Sequence, residues 1–500
     1  MIEGILIGLE TAFSFKNLMM VIIGCFAGTI IGMLPGLGPM TAIALMIPIT
    51  YGFEPSTGLI LMAGVYYGAV FGGSTSSILI NAPGIPGTVA TSFDGYPMAQ
   101  QGKAGKALAI AAYSSFAGGT IAAIFLLVAA PSLSKVSLAF RSPDYFGLMI
   151  LGLTAVSAFS AKGHFLKAMM MVVLGLMLAS VGQDTLSDIP RFTFQNMNLS
   201  DGISFVLVVM ATFAMSEALT IIFKANDPTK VAKQISLSQL GSIKLNKDET
   251  KKMITTIPRS SVLGFIIGVL PGAGSTIASF LAYGMERNFV NDEEKQKFGK
   301  GSVNGLAAPE TANNAACSGS FVPLLTLGIP GSGTTAVMLG ALLGFGIQPG
   351  PRLYQTNPEI FWSVIMSMYI GMVILLILNL PLIPYIARVL ATPRTFLIPL
   401  ILFFSVTGIY LMSFNNFDIY MMIGIAVVAT ILRLYDFPMP PLILAFVLGG
   451  LMEENLRRSL LISDGSWSFL WDRPLTICIM ITILLIVFWQ IYNSFRSLKR

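Results

Sequence analysis

The sequence predicts an all-α polytopic membrane protein with about 12 transmembrane helices in two internal repeats. Of its 500 residues, 54% are apolar and only 11% are charged, with a mean hydropathy of +0.78. Soluble domains carry about 25% charged residues, so this chain must bury most of its surface in lipid or in itself. Several apolar runs also exceed the roughly 18 residues that a membrane span needs. These observations exclude a soluble enzyme.

The first apolar run is broken by a Gly/Pro phrase that occurs twice. Residues 32–38 recur as residues 268–274, at a constant offset of 236. A helix broken at membrane depth frees backbone groups that lipid cannot satisfy, so such breaks survive only where they line a cavity. A helix that restarts after the break directs its free N–H groups and partial positive charge into that cavity, which suits a carboxylate. Paired breaks therefore predict a transporter whose helices bind an anion.

A second pair of breaks follows downstream, where residues 84–87 match residues 328–331 at an offset of 244. This offset pairs Ser74 with Ser318 and places hydroxyl and amide groups beside both breaks. Neutral donors suit an anion that must bind and then leave. The substrate-site candidates are Pro35, Gly36, Gly38, Ser74, Thr75, Ser76, Asn81, Gly84, Pro86, Gly87, Pro271, Gly272, Gly274, Asn313, Asn314, Ser318, Gly328, Pro330, Gly331, Ser332 and Thr334.

Oxygen atoms near the same breaks are candidates for a coupling-ion site, because released carbonyls and polar side chains suit Na⁺. These candidates are Asn81, Glu310, Asn314, Thr326 and Thr335. Glu310 is either a proton or cation site or a helix cap at a loop edge, and the sequence leaves both interpretations open. The breaks themselves could be simple kinks, and small residues could serve close helix packing. No catalytic residue and no metal site beyond Na⁺ is predicted.

The polar segment 224–259 divides the chain into a first half, residues 1–223, and a second half, residues 260–500, with additional C-terminal spans. Its eight basic residues predict a cytoplasmic connector. The shift in offset from 236 to 244 predicts eight extra residues in the second half, within residues 286–300. The number of spans between the halves is not fixed, but inverted repeats are the commoner solution and are favoured here.

Three classes of function fit broken helices in a membrane. A secondary active carrier for an organic anion is favoured, while a passive anion channel and a membrane-embedded lipid-modifying enzyme are the alternatives. Gly272 to Thr276 lack the lysine of a phosphate-binding loop, so no nucleotide-driven pump is predicted. The basic residues lie between spans, so the net charge of +6 reports topology and predicts no nucleic-acid partner.

At these residues the chain resembles the large membrane subunit of the tripartite tricarboxylate transporter (TctA) family. The motifs that carry the resemblance are residues 32–38 with 268–274, 67–87, 309–315 and 328–332. The resemblance implies import of a di- or tricarboxylate, coupled to a Na⁺ or H⁺ gradient, across the inner membrane of a bacterium. It also implies a periplasmic solute-binding protein and a small four-span membrane subunit as partners. An elevator-like movement and a homodimer of the large subunit are compatible with it.

Overall fold

The fold is taken from a computed structural model that describes residues 2–34, 37–137, 139–158, 165–184, 187–224, 241–272, 274–386 and 394–498. Pro35, Gly36 and most of the first half of the predicted connector, residues 225–240, lie outside these ranges. What the sequence predicts for these residues stays a prediction.

Twenty-three α-helices account for most of the described chain. In order they are α1 Ile2–Phe13, α2 Phe15–Met33, α3 Gly38–Thr50, α4 Pro55–Ile80, α5 Val89–Met98, α6 Ala104–Ser137, α7 Ser142–Ala158, α8 Phe165–Ala179, α9 Phe205–Val209, α10 Ser216–Lys224, α11 Lys247–Val269, α12 Gly274–Phe289, α13 Asp292–Lys295, α14 Val303–Gly319, α15 Phe321–Leu327, α16 Gly333–Gly344, α17 Leu353–Thr356, α18 Pro358–Asn379, α19 Ile383–Ile386, α20 Arg394–Ser413, α21 Asn416–Leu434, α22 Pro440–Ile462 and α23 Pro474–Leu498.

The all-α polytopic fold is confirmed. In the part of the chain that the structure describes, six helical stretches are long and apolar enough to cross a membrane, and five shorter apolar helices accompany them. Within the described residues, the strands are limited to one antiparallel pair, Gly182–Gln183 with Pro190–Arg191. A π-helical turn, Met210–Met215, joins α9 to α10, and a second one, Ala99–Lys103, leads from α5 into α6.

The first break is the tip of a helical hairpin formed by α2 and α3. Glycines 24, 28 and 32 of α2 lie directly on the backbone of α4, where an added Cβ would come within 2.5, 2.3 and 2.2 Å of the carbonyls of residues 61, 65 and 69. Along these three contacting pairs the residue numbers rise in both helices, so α2 and α4 run parallel. Only residues 51–54 join α3 to α4, so α3 must return to the side where α2 began. The tip therefore lies beside Ala69, just past the middle of α4.

The second half repeats this hairpin with α11 and α12. An added Cβ on Gly264 or Gly268 would come within 2.5 or 2.3 Å of the carbonyl oxygens of Ala312 and Ala316 in α14. The hairpin helices also match at the sequence offset of 236, because α2 ends at Met33 and α11 at Val269. Each half thus places one hairpin tip against the middle of a long broken helix.

Ion pairs identify one side of the molecule, here called the connector face. Lys106 at the start of α6 pairs with Glu249 at the start of α11 (2.9 Å), and Lys252 pairs with Glu294 of α13 (2.8 Å). The span formed by α9 and α10 leads from the connector back to the opposite face. There, Arg191 and Arg457 both bond to Glu453 (2.8 and 2.6 Å).

The two repeats have opposite orientations in the membrane. Tyr67 of α4 contacts Ser318 of α14 (Oη to Oγ 2.8 Å), whereas Ser74 contacts Glu310 (Oγ to Oε2 2.7 Å). The residue numbers rise in one helix as they fall in the other, so α4 and α14 run antiparallel. Because these helices occupy equivalent places in the two halves, the repeats are inverted, as the fold prediction favoured. One hairpin enters from each face.

The structure corrects the pairing of the second breaks. The contact partners in α4 and α14 correspond at an offset of 247, because Val65 and Ala69 match Ala312 and Ala316. The left-handed residues that end the broken helices, Asn81 and Gly328, keep this offset. The predicted offset of 244, with its pairing of Ser74 and Ser318, is therefore wrong.

The correct partner of Gly84 is Gly331. An added Cβ on Gly84 would meet Gly32 O and the Cα of residue 73, and one on Gly331 would meet Gly268 O and the Cα of residue 320. The second break of the first half contains two Pro-Gly pairs, at residues 83–84 and 86–87, whereas the second break of the second half contains one, at residues 330–331. Matching by sequence alone paired the wrong Pro-Gly sequence of the first half with residues 330–331.

The extra residues of the second half lie in the segment 287–301, which corresponds to residues 51–54 of the first half. The predicted location, residues 286–300, is therefore nearly correct. The predicted number of eight extra residues is wrong, because the second segment is eleven residues longer than the first.

Candidate functional site

Both hairpin tips meet the breaks of their own repeat near the middle of the membrane region. The N–H of Gly272 donates to the carbonyl of Gly331 (3.1 Å). In the first half, an added Cβ on Gly38 would lie 3.9 Å from the carbonyl of Gly84. Gly38, Gly272 and Gly274 have φ values of +61°, +81° and +60°, which L side chains rarely adopt. The left-handed backbone conformation at these three positions of the tips therefore requires glycine.

Four helices begin at these tips and breaks: α3 at Gly38, α5 through a 3₁₀ turn that starts at Pro86, α12 at Gly274 and α16 at Gly333. Helix N-termini carry free N–H groups and a partial positive charge, which favour an anion. The sequence anticipated this clustering, because every one of these starts follows a predicted break.

The amide of Asn313 is the clearest unpaired group among these helix starts. Asn313 is fully buried in α14, and neither its Oδ1 nor its Nδ2 has a hydrogen-bond partner. An added Cβ on Gly87 would lie 2.6 Å from Asn313 Oδ1 and 2.9 Å from Ser275 Oγ. Gly87, Ser275 and Asn313, here called the Asn313 site, thus join the starts of α5 and α12. A buried amide without partners calls for a ligand or water, because leaving it unpaired costs free energy.

The equivalent place in the other repeat is chemically different. At the offset of 247 the counterpart of Asn313 is Tyr66, whose hydroxyl lies 3.4 Å from Ser332 Oγ. Ser332 and Thr335 cap α16 reciprocally, with N–H to Oγ distances of 3.2 and 2.8 Å. The hydroxyls at this N-terminus are therefore already used. Of these two equivalent places, the one at Asn313 holds a side chain whose polar atoms are all unpaired, so the two repeats differ chemically here.

Glu310 lies one turn before Asn313 on α14 and is fully buried. Its Oε2 accepts hydrogen bonds from Ser74 (2.7 Å) and Ser115 (2.8 Å), and its Oε1 accepts one from Thr91. The interpretation as a loop-edge cap is wrong, because Glu310 is the eighth residue of α14. Sequence reasoning found Glu310 but missed Thr91 and Ser115 as its partners, since they lie about 200 residues away along the chain.

Several other predicted residues make contacts inside helices. Ser76 Oγ bonds to Gly73 O (3.1 Å) and Thr326 Oγ1 bonds to Val322 O (2.8 Å). Asn314 donates to the carbonyl of Glu310 (3.1 Å), and its own Oδ1 has no partner. Asn81 is exposed and ends α4 in a left-handed conformation.

The remaining predicted residues line the breaks or flank them. Thr334 is the second residue of α16, next to its capping serine, and Pro330 precedes Gly331 in the second break. Ser318 holds Tyr67 and also contacts Gly119 O (3.2 Å). Across the described residues, no group of three His, Cys, Asp or Glu side chains could hold a metal ion.

Known proteins agree with the resemblance inferred from the motifs. Residues 18–444 match the family described as the tripartite tricarboxylate transporter TctA family. A protein of Agrobacterium vitis, described as an uncharacterized 52.8 kDa protein in the TAR-I ttuC' 3'region, is 41% identical over 99% of this chain and 97% of its own length. A second one from the same organism, in the TAR-II ttuC' 3'region, is 41% identical over 47% of this chain and 96% of its own length. No solved structure matches significantly. The chain belongs to the tripartite tricarboxylate transporter TctA family.

Proposed function

We propose that this chain is the large membrane subunit of a secondary active transporter that imports a di- or tricarboxylate across the inner membrane of a bacterium. Membership of the TctA family supports a role in tricarboxylate transport. Inverted repeats with hairpins entering from both faces support a carrier, because alternating access moves the two repeats around one central site. The connector face would be cytoplasmic and the opposite face periplasmic, following the basic-residue rule.

The Asn313 site is the observation that carries the proposal for the substrate. A carboxylate placed there receives hydrogen bonds from Asn313 Nδ2 and Ser275 Oγ and faces the N-terminal ends of α5 and α12. These donors are neutral. The bound anion is therefore held by hydrogen bonds and dipoles that also allow its release, whereas a buried arginine or lysine would hold it more strongly.

The partners follow the same proposal. A periplasmic solute-binding protein would deliver the anion to the opposite face, and a small four-span membrane subunit would complete the transporter. A Na⁺ or H⁺ gradient would drive accumulation, which is what the resemblance to the tripartite tricarboxylate transporter family implies. No other cofactor is proposed.

Transport into proteoliposomes tests the proposal. The chain, the small subunit and the binding protein are reconstituted together, and uptake of radiolabelled citrate, malate and succinate is followed with and without ion gradients. We expect uptake of at least one anion that collapses when ionophores abolish the gradients. Gradient-independent uptake without counterflow exchange would instead identify a passive channel, since exchange stimulated by substrate on the far side is a property of carriers.

A further inference from the structure

Glu310 differs from the other buried carboxylates of the described chain. Glu286 pairs with Arg259 (2.7 Å), Asp144 with Arg473 (3.1 Å) and Glu217 with Arg433. Asp94 accepts the backbone N–H groups of Gly301 and Ser302. Glu310 has neither a cation nor a backbone donor, and is held only by three hydroxyls. An isolated carboxylate at membrane depth is costly and marks a functional position.

The three hydroxyls suit a group that changes its protonation state. They come from Ser74 of α4, Thr91 of α5 and Ser115 of α6. A hydroxyl can donate to an ionised carboxylate and accept from a protonated one by rotating its O–H bond. The same three residues can therefore satisfy both forms of Glu310 without a change in the helix positions.

A small cavity lies beside two of the hydroxyls that bond to Glu310, those of Ser74 and Ser115. It has a volume of about 10 Å³ and is lined by residues that include Ser74, Thr75, Ser115 and Asn379. The Oδ1 atom of Asn379 is buried and has no partner. A space of this size holds about one water molecule, which needs polar partners such as these. Such a water would link Ser74 and Ser115, which bond to Glu310, with the end of α18.

Glu310 is also linked to the anion site. It precedes Asn313 by three residues on α14, so both side chains lie on neighbouring positions of one helix face. Thr91, which bonds to Glu310, belongs to α5, whose start forms part of the Asn313 site. An ionised Glu310 repels an anion bound one turn away, and a protonated Glu310 does not.

We infer that Glu310 carries the coupling proton of this transporter. This inference rests on the proposed function. A proton from the periplasmic side adds to one carboxylate oxygen, removes the negative charge and permits the anion to bind at the Asn313 site. After the site opens to the cytoplasm and the anion leaves, the proton departs through the cavity beside Asn379. The three hydroxyls lie at hydrogen-bond distance from the two carboxylate oxygens, an arrangement that serves an acid in both protonation states.

Other titratable groups on the surrounding helices do not contact the Glu310 carboxylate in the described structure. Tyr66 bonds to Ser332 and Tyr67 to Ser318 on the α4 side. Asp94 of α5 faces the start of α14, and Lys106 of α6 pairs with Glu249. The further groups on these helices and on the adjoining α11 and α12 are Tyr96, Tyr113, Lys247, Asp248, Lys251, Lys252, Arg259, Tyr283, Glu286, Arg287 and Cys317.

The test compares the wild type with Glu310→Gln in the complete transporter, with radiolabelled citrate as the probe. The glutamine keeps the shape and cannot release a proton. We expect the variant to lose accumulation driven by a pH gradient, down to the level of empty vesicles, while it keeps citrate counterflow. Between pH 5.5 and 8 its counterflow should follow only the ionisation of citrate and lose the additional pH dependence that Glu310 gives the wild type. The control Glu249→Gln, which removes a carboxylate at the connector face, should keep accumulation driven by the pH gradient.

Infrared difference spectra of the purified chain provide a second measurement that needs no transport. Acidification should add a protonated-carboxyl band in the wild type that is missing in Glu310→Gln, and Na⁺ at constant pH should leave that band unchanged. An identical band in both proteins, or accumulation driven by Na⁺ alone, would overturn the inference. Failure of the wild type to exchange any anion would instead refute the proposed function, while the infrared result would still report on Glu310.

Discussion

At the scale of single residues, the Asn313 site depends on the absence of a side chain at residue 87. Gly87 is buried between Asn313 and Ser275, and its φ is not in the left-handed region, so the backbone alone does not require glycine there. Space requires it, because an added Cβ would lie 2.6 Å from Asn313 Oδ1. The counterpart in the other repeat is Thr334, which shows that the same backbone position can carry a side chain when the facing residue differs.

Gly87→Ala is predicted to weaken anion binding strongly, because the new methyl group would displace the Asn313 amide and the Ser275 hydroxyl. The methyl group fills the place where a carboxylate would approach Asn313 and Ser275, so citrate uptake should fall at least tenfold, equivalent to about 1.4 kcal/mol of binding. The matched control is Gly284→Ala in α12, where an added Cβ meets nothing within 4 Å. Uptake by the two variants at equal protein levels is the measurement. Equal uptake would remove Gly87 from the site.

At the scale of elements, each hairpin is held by glycines that bring two helix backbones into contact. Gly28 and Gly32 serve the α2–α4 pair, and Gly264 and Gly268 serve the α11–α14 pair. Close approach of this kind stabilises helix pairs in membranes, where lipid removes the hydrophobic drive for association. Gly28 and Gly264 lie 236 residues apart, the same offset as the first breaks, but the sequence alone does not show that each faces the carbonyl of a partner helix.

Gly28→Val and Gly268→Val are predicted to destabilise the protein strongly. The new side chains would overlap with Val65 O and Ala316 O, and overpacking of this kind typically costs about 1–3 kcal/mol or more. Thermal unfolding in detergent should show a lower midpoint for both variants. Gly424→Ala in α21 is the control, because an added Cβ there has no neighbour within 4 Å. Unchanged midpoints in both valine variants would contradict the packing described for the hairpins.

At the scale of the whole molecule, the inverted repeats create one site from two different halves. The first half contributes Gly87 and the hydroxyls of Ser74 and Thr91, and the second half contributes Asn313 and Glu310. The residues of the Asn313 site come from both halves, and Glu310 of the second half is held by three hydroxyls that all belong to the first half. Substrate and proton would therefore be sensed at the boundary between the halves, where alternating access must produce movement.

The two faces of the molecule give a direct test of orientation. Met197 is 88% exposed on the segment before α9, and Lys103 is exposed where α5 turns into α6. The labelling is carried out in a Cys478→Ser variant, because the other two thiols, Cys25 and Cys317, are buried. A membrane-impermeant maleimide added to intact cells should then label Met197→Cys. It should label Lys103→Cys only after the membrane is opened. The reverse pattern would contradict the assigned sides.

The sequence alone determined the membrane class, the duplication and the positions of the helix breaks. These follow from properties that neighbouring residues express together, namely long apolar runs and the backbone chemistry of glycine and proline. It also singled out Glu310, because a carboxylate within an apolar region is rare.

Only the tertiary structure decided how the broken pieces correspond and which polar groups meet. The comparison of sequences matched the Pro-Gly pair at residues 86–87 with residues 330–331. The backbone contacts of Gly84 and Gly331 show instead that Gly84 corresponds to Gly331. Thr91 and Ser115 reach Glu310 from helices about 200 residues away along the chain, and the amide of Asn313 is left unpaired beside Gly87. Local sequence encodes where a helix stops, but the packing of distant helices sets which side chains face one another and which of them lack a partner.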